Sequence, residues 1–252
     1  MSKLTEHIVP PAAPRPAPMQ RAGFAVEWRV LLELGRLSLA LPRLMFLPRG
    51  SAPVLLIPGW KAPEIAMSPL RLYLRTLGYD ARHWGLGTNR GHPERDSETL
   101  AEIVTRISKE KGQPVGLVGW SLGGVVGRET ARLVPEHVCG VVTYGTPAVG
   151  GPTYTLGAST WGRSECERIA KRTEELDRDA PISVPIAAIF TRTDEVVAWA
   201  ACIDRVSPRV RHFEVESPHV AMGLDPAVWS LVARQLHSFT STAGALKRRR
   251  TG

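Results

Sequence analysis

Cysteine is the first thing this chain has little of. Cys139, Cys166 and Cys202 are odd in number, widely spaced and form no C-x-x-C pair, so neither a disulfide framework nor a cysteine-based zinc site is indicated. A reducing, cytoplasmic setting is the expectation. The seven histidines contain no H-E-x-x-H pair, and neither a catalytic metal nor another cofactor is expected. Acidic residues are also in deficit, 24 against 32 basic ones, for a net charge of +8. No nucleic-acid-binding module accompanies that charge, which argues against nucleic acid as a partner. Part of the excess lies in Lys247-Arg248-Arg249-Arg250. It reads either as a solvated tail or as attraction to anionic lipid head groups or an acidic carrier protein.

Uninterrupted apolar runs of membrane-spanning length are missing as well. Residues 24–47 come nearest, but Glu27, Arg29, Glu33, Arg36 and Arg43 interrupt them and Pro42 is expected to break any single helix. At helical spacing Arg29, Glu33, Arg36 and Arg43 share one face, leaving Trp28, Leu31, Leu32 and Leu39 on a wide apolar one. Two readings compete: a helix packed on the body of the protein or over its pocket, and a helix lying on a membrane surface as a peripheral contact, aided by the basic tail. Residues 1–23 are rich in proline and alanine and have no apolar signal-peptide core, so they read as a disordered leader.

What is present is one ordinary globular domain. The 252 residues are 43% hydrophobic and 22% charged, which suits a single core over residues 24–240 followed by a basic tail at 241–252. Short apolar runs at 53–57, 79–84, 114–118, 138–144, 186–191 and 212–215 read as strands. Helix-patterned stretches separate several of them, at 69–78, 96–111 and 122–133, with a last one from about 226; Asp96 or Ser97 is the expected cap of the second. Strands alternating with helices predict an α/β fold with a mostly parallel sheet covered on both faces. Residues 148–185 lack a strand pattern, open on glycine and proline, and carry a charged helix near 164–177. They read as a small lid.

The most informative stretch is Gly119-Trp120-Ser121-Leu122-Gly123, a G-x-S-x-G pattern between the strand at 114–118 and the helix from 122. A serine on so tight a turn projects its hydroxyl above the sheet edge, and the helix after it aims amides, first that of Leu122, at a carbonyl oxygen becoming negative. On this pattern the chain resembles the α/β-hydrolase superfamily, in particular its bacterial lipase-like and esterase-like members, with Ser121 in a nucleophile elbow. Trp120 departs from commoner lipases, which often carry histidine there. That superfamily orders its triad as serine, acid, histidine, and both partners follow downstream. His219, in a loop after the last strand, is the expected base; His83, His92, His137, His212 and His237 are placed less well. Asp194, just past the strand at 186–191 in Arg192-Thr193-Asp194, is the expected acid, with Glu195 and Asp204 as alternatives and a helix-capping role as the non-catalytic one.

The resemblance implies further residues. Pro58-Gly59-Trp60 ends the first apolar strand, and the superfamily takes its second oxyanion donor from the loop at this place; the matching amide is that of Trp60, since Pro58 has none. The Gly85 to Pro93 loop, with Asn89 in a G-x-N-x-G setting, is similar to one beside the active-site mouth of lipase-like members. Asn89 then either holds that loop or the oxyanion turn, or makes a local Asx-turn. Gly145-Thr146-Pro147 resembles a pocket-lining edge. Trp120, Asn89, Tyr154, Leu156 and Trp161 are the expected pocket residues, the last three from the lid. Together these imply a serine esterase acting on a small-molecule acyl ester with a fatty-acyl group. A thioesterase on acyl-carrier protein and a catalytically silent binding protein of the same fold are the alternatives.

Overall fold

The computed structural model describes residues 4–7, 12–17 and 26–251. Seven strands of these residues form one sheet: β1 (Thr5–His7), β2 (Pro53–Ile57), β3 (Asp80–His83), β4 (Val115–Trp120), β5 (Val138–Tyr144), β6 (Ile186–Thr191) and β7 (Val210–Val215), in the order β1-β7-β6-β5-β4-β2-β3. Every pairing is parallel except that of β1 with β7. The central strands are apolar without alternation, and β2, β5 and β6 are buried at every residue. Parallel strands covered on both faces need that pattern, because neither set of side chains meets water.

Among the described residues there are seven helices: α1 (Val26–Leu44), α2 (Ser68–Thr76), α3 (Pro93–Lys111), α4 (Leu122–Leu133), α5 (Ala158–Trp161), α6 (Arg163–Asp179) and α7 (Pro226–Thr251). One core layer joins α1, α2 and α7 to one face through Leu37, Leu74, Trp229 and Leu236, and a second joins α3 and α4 to the other through Leu100, Val104 and Val126. Neighbouring β4 residues divide between the layers, Leu117 to one and Val118 to the other, as the two-residue strand period dictates. The expected α/β architecture is what the chain adopts.

Local differences have identifiable causes. Helix α3 starts at Pro93, three residues before the expected cap; proline at the first helical turn gives up an amide that has no intrahelical acceptor there anyway. Asp96 and Ser97 are instead buried within the helix. Pro42 does not break α1, which runs through it. It sits in the last turn, so only the Ser38 carbonyl loses an amide partner, and Ser38 faces solvent. The leader expected to be disordered supplies β1, which satisfies the otherwise open edge of β7, with Thr5 opposite Glu214 and His7 opposite His212. The rest of the leader call at 1–3, 8–11 and 18–23 lies outside the described residues, as do Phe24 and the side chains of Trp28 and Arg29. Residues 241–251, expected as a loose tail, continue α7; alanine, leucine, lysine and arginine there are all good helix formers.

Helix α1 packs on α7 and on the turn after β7, but not with the face the pattern suggested. Glu33, Leu37 and Leu44 turn inward, while Leu31, Leu32 and Leu39 are exposed. Burial pushes the Glu33 carboxyl above its ordinary range, the neighbouring Asp225 adds to this, and the paired Arg36 opposes it.

Candidate active site

The carboxyl ends of the parallel strands bring the candidate residues to one rim, where open α/β sheets collect ligands. Ser121 follows β4 directly and has φ +52° and ψ −123°; with Lys61 it is one of two non-glycine residues at positive φ among those described. Such a conformation is strained for a residue with a Cβ and persists only where the surroundings impose it. They do so here by close approach. A Cβ on Gly119 would lie 2.4 Å from Gly124 Cα, and one on Gly123 would lie 2.3 Å from the Ile57 carbonyl oxygen. The strand, the turn and α4 therefore meet at a separation that only glycine permits. Thr146 Oγ1 donates to the Ser121 carbonyl at 2.9 Å, and Ser121 N–H donates to the Tyr144 carbonyl at 2.9 Å. The turn at Ser121 is thus anchored to the end of β5.

Asp194 and His219 meet across the loops after β6 and β7. Asp194 Oδ2 lies 2.8 Å from His219 Nδ1, while Asp194 Oδ1 accepts the amides of Val196 and Val197 at 2.9 and 2.7 Å. The capping alternative does not arise, because the next helical turn among the described residues starts at Trp199 rather than Val196; one oxygen of the carboxylate braces the loop and the other faces the imidazole. Gly145, at φ +59°, leaves room for the ring: a Cβ there would fall 2.7 Å from His219 Nδ1. The imidazole sits 6.0 Å from the Trp120 ring, centre to centre, and it is almost fully buried. Glu195 does not take the acid's place. Its Oε2 accepts the backbone N–H of His219 at 3.2 Å and so ties the histidine loop to the acid loop. Asp204 is occupied elsewhere, in a buried pair with Arg128 at 2.7 Å and as acceptor for the amides of Val206 and Ser207. Burial pushes that carboxyl up, but Arg128 and the Ser207 hydrogen bonds outweigh it and hold it well below the usual range.

One cavity of about 200 Å³ is lined by Ser121 and His219 together, with Trp60, Leu122, Trp120 and Trp161 among its walls. Of the lid residues expected there, Tyr154 and Leu156 do not line it; Pro152, Thr155 and Gly157 do, with Val196 and Val197 opposite. The reason is a short antiparallel bridge between Thr155 and Val197, flanked by hydrogen bonds from Leu156 N–H to the Val196 carbonyl and from Ala198 N–H to the Tyr154 carbonyl. In an extended segment alternate residues face opposite ways, so this segment presents Thr155. Sequence alone carried no signal for that pairing. Asn89 also lies off the cavity, fully buried. Its Nδ2 donates to the Pro58 carbonyl at 2.9 Å, its Oδ1 accepts Gly91 N–H at 3.1 Å, and its backbone clasps Lys61 and Ala62. The Asx-turn and the hold on the 58–62 turn both occur, and Asn89 positions the turn that carries Trp60. Among the described residues no cluster of histidine, cysteine and carboxylate groups suits a metal ion. The three cysteines are free and buried.

His212 sits apart from the cavity, its Nε2 accepting Asp204 N–H at 3.1 Å. Burial pushes it down to about 4, against the upward pull of Asp204. A histidine that ionises at lower pH folded than unfolded binds its proton more readily in the unfolded chain. Its contribution is complete above the unfolded value of ~6.5 and is lost as pH falls toward 4, by about 3 kcal/mol at the limit. Urea unfolding between about pH 7 and pH 4.5 should show this slope, and His212→Asn should flatten it; an unchanged slope would assign the acid sensitivity to other groups.

Comparison with known proteins agrees with this architecture. The family model described as the alpha/beta hydrolase family matches residues 54–248. No curated protein matches the chain. Among solved structures, one from the work on LipS and LipT, two metagenome-derived lipolytic enzymes, is similar with a TM-score of 0.56 at 18% identity, over 77% of this chain and 96% of that one. Lipase B of Aspergillus fumigatus is similar with a TM-score of 0.57 at 19% identity, over 73% of this chain and 52% of that one. The N-acyl homoserine lactonase AidH, in complex with N-butanoyl homoserine, is similar with a TM-score of 0.51 at 21% identity, over 76% of this chain and 91% of that one.

Proposed function

The chain belongs to the alpha/beta hydrolase family, and on that premise we propose that it is a serine hydrolase cleaving carboxylic esters through an acyl-serine intermediate. The observation that carries the reading is the hydrogen bond between Asp194 and His219 at the wall of the cavity that Ser121 also lines. Ser121 Oγ attacks the ester carbonyl carbon and gives its proton to His219 Nε2. Asp194 keeps the other proton on Nδ1 and stabilises the imidazolium. The carbonyl oxygen, now negative, is held by the amides of Leu122 and Trp60, the first aided by the N-terminus of α4. Collapse breaks the bond to the alcohol oxygen, which leaves with the proton from His219. Water, deprotonated by the same ring, then releases the acid and restores Ser121.

The cavity walls are predominantly tryptophan, valine, proline and leucine, which suits an apolar acyl group. At about 200 Å³ the cavity is smaller than the ~300–1,000 Å³ of most small-molecule sites. Within the fatty-acyl class we therefore assign short to medium chains, butanoyl to octanoyl. Two measurements test this. A fluorophosphonate should add covalently to Ser121 in the wild type and leave Ser121→Ala unmodified by mass spectrometry; a folded wild type that stays unmodified defeats the acyl-serine reading. A p-nitrophenyl ester series should peak between butanoate and octanoate, and a maximum at palmitate would refute the size assignment alone.

A further inference from the structure

We propose that the outer face of α1, with the turn after it, is a docking surface for an anionic lipid membrane. Seven of the thirteen large apolar side chains exposed among the described residues lie between Leu31 and Phe46, with Leu39 at 85% and Phe46 at 89% exposure. A helix required only to pack would bury its leucines. This one buries Leu37 and Leu44 together with Glu33 but turns Leu31, Leu32, Leu39 and Leu41 to solvent, which is the polarity of a helix with a second apolar environment to meet. At 3.6 residues per turn, Arg36 and Arg43 fall together along one border of the outward stripe, between it and the buried side. Both also line a groove of about 420 Å³ that opens between α1 and the start of α7, with Leu39, Leu44 and Pro226 among its walls. Arg36 is held in an ion pair with Glu33, so Arg43, beside the apolar floor, is the guanidinium placed to meet the phosphate of an anionic lipid while the leucines meet its acyl chains.

Three observations favour a membrane over other occupants. The chain carries a net charge of +8, which attracts an anionic surface and opposes pairing of α1 with its copy in a second chain. No described helix is long and apolar enough to cross a membrane, so the contact is interfacial. No α1 residue lines the catalytic cavity, so the exposed leucines are not the substrate site. The inference is independent of the esterase reading, because it is read as binding rather than turnover.

The test is co-sedimentation of the full chain with vesicles of phosphatidylcholine alone and of phosphatidylcholine containing about one-third phosphatidylglycerol. Binding to the anionic vesicles should be stronger by about ten-fold or more and should weaken at high salt. The double variant Leu39→Asp, Phe46→Asp should lose about ten-fold or more of that binding, while keeping its thermal melt and its hydrolysis of a water-soluble short ester. Arg43→Glu should reduce anionic binding and leave the neutral baseline unchanged. Equal binding to both vesicle types would overturn the anionic assignment. Failure to bind either, or binding unaffected by the double variant, would overturn the surface itself; so would a dimer in light scattering that the variant dissolves without any vesicle binding.

Discussion

Ser121→Ala should abolish ester turnover while leaving a folded protein, with kcat/KM on p-nitrophenyl butanoate lower by about four to six powers of ten. The size follows from what remains. Without the hydroxyl no acyl-serine forms, and the cavity retains only binding, the two amides and a histidine able to activate water, which together give a small residual acceleration. Stability should change little. The strained φ of +52° at Ser121 is unaltered by the exchange, and the hydrogen bonds at this position, to the Tyr144 carbonyl and from the Thr146 hydroxyl, use only the main chain of Ser121. Activity assays with a thermal melt check both halves. A loss of less than about ten-fold would mean that another group performs the chemistry.

Asp194→Asn should cost about four powers of ten in kcat, at nearly unchanged KM. The amide oxygen can still accept from Val196 and Val197, as Oδ1 does now at 2.9 and 2.7 Å, so the loop should keep its shape. The change falls on the other side of the group. An asparagine NH₂ would face His219 Nδ1 where a carboxylate oxygen now lies at 2.8 Å. It donates rather than accepts, so it favours the tautomer with the proton on Nε2, and that nitrogen can no longer take a proton from the serine. Glu195 is no substitute, because it already accepts the His219 amide. The control is Glu195→Gln, which retains an acceptor for that amide. Comparable losses for both variants would show that loop position, not imidazole tautomer, governs the rate.

Several features of this protein could be read from residue order because they depend on local geometry. A glycine-flanked serine between an apolar run and a helical one specifies a tight turn, and continuous apolar strands specify a parallel sheet covered on both faces, whatever lies around them. Chain order then singled out Asp194 and His219 among the carboxylates and histidines. The backbone carries them to the same sheet edge because strand ends in a parallel sheet all emerge on one side. Composition likewise registered a basic chain with one helix too polar to span a bilayer.

Other features had no local signature. Whether Leu156 or Thr155 faces the cavity depends on the register of a bridge to Val197, 42 residues on, and a shift of one residue would exchange them. Asn89 leaves the cavity because a carbonyl at Pro58 needs a donor once buried. Pro42 and the start of α3 follow from which amides are dispensable, which only the packed helix ends reveal. The face of α1 that meets the core shows this most clearly. Periodicity separates apolar from charged residues around a helix but does not say which side has a neighbour. The available space beside α7 accepts Glu33, Leu37 and Leu44 and leaves the leucine stripe in water. The amino-acid sequence by itself determined the sheet, the tight turn at Ser121 and the choice of Asp194 and His219 as candidates, since those rest on short-range sterics and strand order; tertiary structure decided what lines the cavity and which surface is exposed, since those rest on contacts between segments far apart in the chain.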